Sequence, residues 1–153
     1  MSTGGQRQLR AIRGAITVER DSRSAIERAT RELLTAIAER NAIVPDDIIS
    51  VIFTVTLDLT STFPAQAARQ LGWLDVPLLC TMEIPVPGAL ARCIRVLLHV
   101  ESSRPRAAIH HVYLGDADML RPDLSPPQDG PSAGERAAPD RAPPGALPDR
   151  SSY

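Results

Sequence analysis

The segment GALARCIRVLLHV, Gly88 to Val100, constrains this chain more than any other stretch. Ile94, Val96, Leu98 and Val100 alternate onto one wholly apolar face, the pattern of a strand with one side in a core. Cys93, Arg95, Leu97 and His99 take the opposite face. Arg95 therefore stands in the middle of a strand built for burial. A guanidinium keeps its proton at any ordinary pH, and burying it unpaired is costly, so an anionic group is expected to meet it. A carboxylate of the same chain and an anionic ligand both satisfy that requirement, and this segment alone does not choose between them.

The elements around this segment can be read in chain order. After a polar terminus at residues 1–8, Leu9 to Val18 (LRAIRGAITV) has the β-branched content of a strand. Leu9, Ala11 and Arg13 share a face there, and Gly14 leaves room for a close approach of backbone or ligand. Arg13 either reaches solvent from a sheet edge or enters a site. From Asp21 or Ser22 to Asn41 the period changes to that of a helix, with Ile26, Ala29, Leu33, Ile37 and Ala38 on one stripe. The i to i+4 pairs Arg23/Glu27, Glu27/Arg31 and Arg28/Glu32 read as its solvated side.

Ile48 to Thr56 (IISVIFTVT) is apolar on both faces, which predicts a central strand covered from two sides and carrying no chemistry. LDLTSTFPAQAARQLGW then leads through a loop into a short helix, with Pro64 at its first turn and Gly72 at its end. Loops at strand ends are where sites are built, which singles out Phe63 and Arg69; by itself, Phe63 is more often a packing residue than a ligand contact. Val76 to Ile84 is a third strand, and PVPG turns the chain into the segment that carries Arg95. Strict alternation puts Cys80 and Glu83 on opposite faces, so a shared site would need a bend between them. Glu83 is alternatively the internal partner of Arg95. Ile109 to Leu114 (IHHVYL) forms a last short strand, where His110 and His111 diverge and have no ligand spacing with His99, so no metal site is expected.

Beyond Ser125 the composition collapses: seven of the 14 prolines fall there, and only Leu147 and Tyr153 are large apolar residues. No core can be made from such a segment, and 125–153 reads as a disordered tail. The 153 residues otherwise suit one domain. A net charge of −1 and 3% aromatics give neither a basic footprint nor a stacking platform for nucleic acid. All 17 basic residues are arginine, which removes Schiff-base chemistry on lysine. No signal-like or membrane-length apolar run is present, so a cytoplasmic protein without membrane attachment is expected. Cys80 and Cys93, each within an apolar segment, read as reduced thiols.

This order of elements describes an α+β domain, a mixed β-sheet with helices packed on one side. One long helix and one short one leave much strand surface bare, which predicts self-association with closed symmetry. Several arginines aimed into a site predict an anionic ligand.

Four segments go further: RAIRGAITVERD (10–21), FPAQAAR (63–69), PLLCTMEIPVPGALARCIRV (77–96) and HVYLGDADMLRPDL (111–124). In this order they resemble the monofunctional chorismate mutases of the trimeric α+β class, over roughly Leu9 to Leu124. The resemblance implies a pseudo-α/β-barrel homotrimer with active sites between subunits. It implies the Claisen rearrangement of chorismate to prephenate, on the way to phenylalanine and tyrosine, with no cofactor. By matching motif positions, it implies that Arg95 donates to the ether oxygen and is the catalytic residue. Arg13 and Tyr113 would hold substrate carboxylates, and Glu83 with Cys80 would receive the ring hydroxyl. Phe63, Ala65, Leu78 and Leu120 would form apolar walls, and Arg69 and Arg121 would add positive field at the mouth.

The chain departs from the family pattern at Gln66, Leu79 and Leu57, where a lysine, a polar residue and a proline are common. The first two changes would weaken substrate binding by about 0.5 to 3 kcal/mol each. Two rival readings are a non-catalytic relative that binds a related metabolite, and the similarly built trimeric enamine/imine deaminases, which also grip a carboxylate with an arginine.

Overall fold

Five strands make one mixed sheet in the order β3-β2-β4-β1-β5. They are β1 (Gln8–Thr17), β2 (Ile48–Val55), β3 (Leu78–Met82), β4 (Cys93–Ser102) and β5 (Val112–Leu114), with helices α1 (Arg23–Asn41) and α2 (Ala65–Gln70) between them. This computed structural model describes residues 5–121. The expected tail at 125–153 lies outside the described residues. The polar terminus reads shorter than expected, because β1 begins at Gln8 and Arg7 bonds to Asp47 and to the Glu101 carbonyl.

The sheet is built around β4, which pairs antiparallel with β1 and with β2, while β3 and β5 add in parallel outside them. The apolar face expected for β4 is realised: Ile94, Val96, Leu98 and Val100 are all buried. They pack with Ile12 and Ile16 of β1, Val51 and Phe53 of β2, and Ile26, Leu33, Leu34 and Ile37 of α1 in one core. Both helices lie on this side of the sheet. The stripe along α1 is set by its 3.6-residue period, and Ser22 caps the first turn by accepting from the Ala25 amide at 3.2 Å. Gly14 is required where β1 passes beneath α1. A Cβ there would come within 2.8 Å of Ile37 Cδ1, 3.1 Å of Leu33 Cδ1 and 3.1 Å of the Val112 carbonyl.

Several elements differ from the sequence reading for identifiable reasons. β4 starts at Cys93, and Gly88–Arg92 is loop, because β2 ends at Val55 and offers no further ladder. The Arg92 amide turns instead to the Asp58 carboxylate, 2.9 Å away, and the Cys93 amide to Thr56 Oγ1 at 3.0 Å. β5 is shortened because Asn41 takes both backbone groups of His110. The Asn41 side-chain oxygen accepts from the His110 amide, and its nitrogen donates to the His110 carbonyl, each at 2.8 Å. On α1, Arg23 pairs with Glu27 as expected at 3.1 Å, but Arg28 turns to Glu19 and Arg31 to Gln70. That face therefore ties α1 to α2 rather than standing free in solvent.

The two-sided cover expected for β2 comes only from the helix side among the described residues. Ile52 on the opposite face is half-buried, and Leu79 and Leu9 on the same face are exposed. A second small cluster of Ala15, Cys93 and Ala117, with Leu90, Tyr113 and Leu120 against it, covers this face at one end. The turn Gly115–Leu120 builds it. Both cysteines are free thiols, and no helix among the described residues is long and apolar enough to cross a membrane.

Candidate active site

The strand register lines up the polar groups of the helix-free face. Arg95 on β4 stands opposite Thr54 on β2 and opposite Ala15 on β1, and Ala15 stands opposite Tyr113 on β5. One step along, Leu97 faces Ile52 on one side and Arg13 on the other. Side chains in register share a face, so alternation on four separate strands delivers Arg13, Arg95, Thr54 and Tyr113 to one surface. Arg13, Arg95, Thr54 and Tyr113, with residues Gly14, Ile52, Leu97, Val96 and Glu83, line a hollow of about 230 Å³.

Glu83 arrives from beyond the end of β3. Its amide donates to the Val55 carbonyl at 2.8 Å, which continues the parallel ladder by one residue. Its carboxylate then accepts from Thr54 Oγ1 and lies 3.3 Å from Arg95 Nε. The internal partner is thus realised, yet the Arg95 side chain remains 49% exposed and Glu83 23%. A pair this open to water contributes at most about 1 kcal/mol to stability, so its consequence is orientation of the guanidinium. With two arginines and one carboxylate, the hollow carries an excess of positive charge suited to an anion.

The expectation that β2 carries no chemistry is corrected by Thr54. Its hydroxyl interrupts an apolar run and holds Glu83; that interruption was the available signal. A second residue, given no role by the sequence, is His111, whose Nδ1 accepts from the Arg13 amide at 3.0 Å. Burial pushes the His111 pKa below its usual value, and the charges of Arg13 and Arg121 act in the same direction.

The other candidate residues lie elsewhere on the chain. Cys80 and Leu78 stand opposite Phe53 and Val51, on the helix side of the sheet. No bulge separates Cys80 from Glu83, so strict alternation holds and the two face apart. The Cys80 thiol is pushed up chiefly by burial, while the Ala65 amide and the charge of Arg69 pull it down. Ala65 is buried in the core beside it. Phe63 is 68% exposed, and Arg69, also exposed, donates to Gln66 at 3.3 Å. Leu120 packs against the Ala15 cluster next to Tyr113, and the half-buried Arg121 follows it. The candidates thus form two groups: one in the hollow, the other around α2 and β3.

The chain is similar to several known proteins. The family model for chorismate mutase type I matches residues 9–124. Chorismate mutase AroH of Thermus thermophilus is 54% identical over 121 residues, covering 78% of this chain and 99% of the relative. Chorismate mutase AroH of Bacillus subtilis (strain 168) is 46% identical over 118 residues, with 76% and 93% covered. Among solved structures, a chorismate mutase from Clostridium thermocellum superposes with a TM-score of 0.72 at 50% identity, covering 72% of this chain and 99% of that one.

Proposed function

The chain belongs to the chorismate mutase type I family, and on that basis we propose how its own residues carry the reaction. It is a chorismate mutase, an intramolecular isomerase that converts chorismate to prephenate, which fits a place in aromatic amino acid biosynthesis. The observation that carries the residue assignment is the convergence of Arg13, Glu83, Arg95 and Tyr113 on one hollow.

A Claisen rearrangement is pericyclic and asks for no nucleophile and no proton transfer. What it requires is a compact substrate conformer, with the reacting carbons close, and stabilisation of the charge that develops on the ether oxygen as its bond breaks. An acceleration of about a millionfold corresponds to roughly 8 kcal/mol, within reach of those two effects. Arg95 is the group for the ether oxygen. Glu83 engages it through Nε, which leaves the terminal nitrogens of its planar fork for the substrate. Arg13 and Tyr113 hold the carboxylates of the dianion. Glu83, steadied by Thr54, receives the ring hydroxyl as a hydrogen-bond acceptor.

The second group, Phe63, Ala65, Arg69, Leu78 and Cys80, belongs in this reading to a site completed by a neighbouring subunit of a homotrimer. Two features support it. The hollow of about 230 Å³ is smaller than the roughly 300–1,000 Å³ of complete small-molecule pockets. Leu9 and Leu79 on the helix-free sheet face, and Phe63, Met82 and Ile84, are exposed apolar side chains that a partner would cover. Leu120 and Arg121 extend the wall on the Tyr113 side. The domain spans 9–124 in this reading, with 125–153 dispensable for folding.

Purified protein mixed with chorismate is expected to consume it and release prephenate, and Arg95→Ala to lower the rate about a hundred- to a thousandfold, the scale of losing a preorganised donor at a developing charge. Wild-type rates in the folded variant would remove Arg95 from its role.

A further inference from the structure

We infer that His111 is a positioning residue for Arg13, its neutral imidazole acting as the acceptor that sets the angle at which the Arg13 side chain enters the hollow. This inference rests on the assignment of Arg13 to the substrate. The β1–β5 ladder begins at Gly14 and Val112, so the Arg13 amide lies one residue short of it and has no strand carbonyl to meet. The His111 ring fills that gap, with Nδ1 3.0 Å from the Arg13 nitrogen. An amide can only donate, so Nδ1 must be bare, and the ring of a neutral histidine then carries its proton on Nε2.

The ring can serve as a fixed point because its own backbone is held on both sides. Before it, Asn41 binds both the amide and the carbonyl of His110, and Asn41 is only 1% exposed. After it, Val112 is paired in the sheet, and Tyr113 follows on the hollow's face. The same anchored segment therefore presents Tyr113 and, through the imidazole, fixes Arg13. Both carboxylate-binding groups are set by one latch.

The surroundings of the ring keep it neutral. His111 lines a second hollow of about 340 Å³ with Arg10 of β1, His99 of β4 and Arg106 of the turn that follows β4. Arg13 and Arg121 are also near enough to act on it. His99 is itself engaged with the Ser50 hydroxyl at 3.2 Å. Every charged group named here is cationic, so a proton on His111 is opposed by its neighbours as well as by burial. Protonation would turn Nδ1 into a donor facing the Arg13 donor, and the latch would open.

Substitutions separate this role from simple packing, because an asparagine at 111 can set its amide oxygen near the place of Nδ1, whereas glutamine sets it near Nε2. In the full chain, His111→Phe and His111→Gln are expected to raise KM for chorismate about tenfold while kcat stays within about twofold, and His111→Asn to restore KM. Wild-type KM should rise as pH falls below about 6.5, and His111→Asn, which does not titrate, should lose that rise. Nitrogen-15 spectra of wild type at about pH 8 should show Nδ1 unprotonated and Nε2 protonated. An Asn variant as impaired as Phe, a Phe variant with wild-type KM, or a proton on Nδ1 would each overturn the inference. Should the wild type fail to convert chorismate, the functional reading falls, and the imidazole spectrum still decides the latch.

Discussion

Arg95 Nε lies 3.3 Å from Glu83 Oε1 although the two residues come from β4 and from the end of β3, strands that do not touch. The pair spans the intervening β2, where Thr54 donates to the same carboxylate oxygen. Two strands and a hydroxyl thus fix the direction of one guanidinium.

Thr54→Val keeps the shape of the side chain and removes the hydroxyl. Glu83 then depends on Arg95 alone, and kcat/KM for chorismate should fall about two- to twelvefold, the range of about 0.5–1.5 kcal/mol for one hydrogen bond. The melting temperature should move little, because Thr54 is only half-buried. Unchanged kinetics would show that Glu83 finds its place without Thr54.

Gly14→Ala places a methyl group against Ile37, Leu33 and the Val112 carbonyl. Ile37 and Leu33 can rotate in part, but the carbonyl is backbone of β5. A loss of about 1–3 kcal/mol in unfolding free energy is expected, read by urea titration. Arg13 is the next residue, so KM should rise in the same variant. Wild-type stability would mean that α1 and β5 can recede together.

Stability should depend on pH in two windows. The His111 pKa is below its ordinary value, chiefly through burial, so the fold favours the neutral ring. Its contribution is complete above the unfolded value of about 6.5 and is lost as pH falls through the lower folded value. Three carboxylates follow at lower pH. Asp21 is held down by the Ser61 hydroxyl and the Thr60 and Ser61 amides, and Glu27 by Gln70 and then Arg23. For Asp47 partial burial acts upward, but Arg7 and the Val44 amide outweigh it. Each contributes fully above about pH 4 to 4.5 and progressively less below. Melting temperatures between about pH 3 and 8 check the order, and a curve rising on acidification below about 6.5 would contradict the His111 shift.

If sites are completed between subunits, two inactive variants should complement each other. Arg95→Ala disables the hollow, and Phe63→Asp places a negative charge in the second group, where it repels the dianion. Refolded together in equal amounts, the chains should regain activity in about a quarter of the sites, since random closed trimers pair an intact half of each kind that often. A mixture no more active than its parts would place both groups in the work of one chain or none. Light scattering of the wild type reads the trimer directly.

The sequence by itself determined the elements and the sidedness of β4. Alternation over Ile94, Val96, Leu98 and Val100 can bury only one face, so Arg95 had to stand on the other. The same period, applied to β1 and β5, put Arg13 and Tyr113 on defined faces of their strands, and the motifs carried the family. What periodicity cannot express is which strands become neighbours and in what register, because that depends on contacts between residues far apart in the chain. Only the tertiary structure brought Thr54 beside Arg95, carried Glu83 across β2, and set Cys80 and Ala65 on the other side of the sheet from the hollow of the same chain. His111 shows the same limit on a smaller scale. Its ring has meaning only because β5 starts one residue too late to satisfy the Arg13 amide, and Asn41, seventy residues earlier by roughly one helix and three strands, decides where β5 starts.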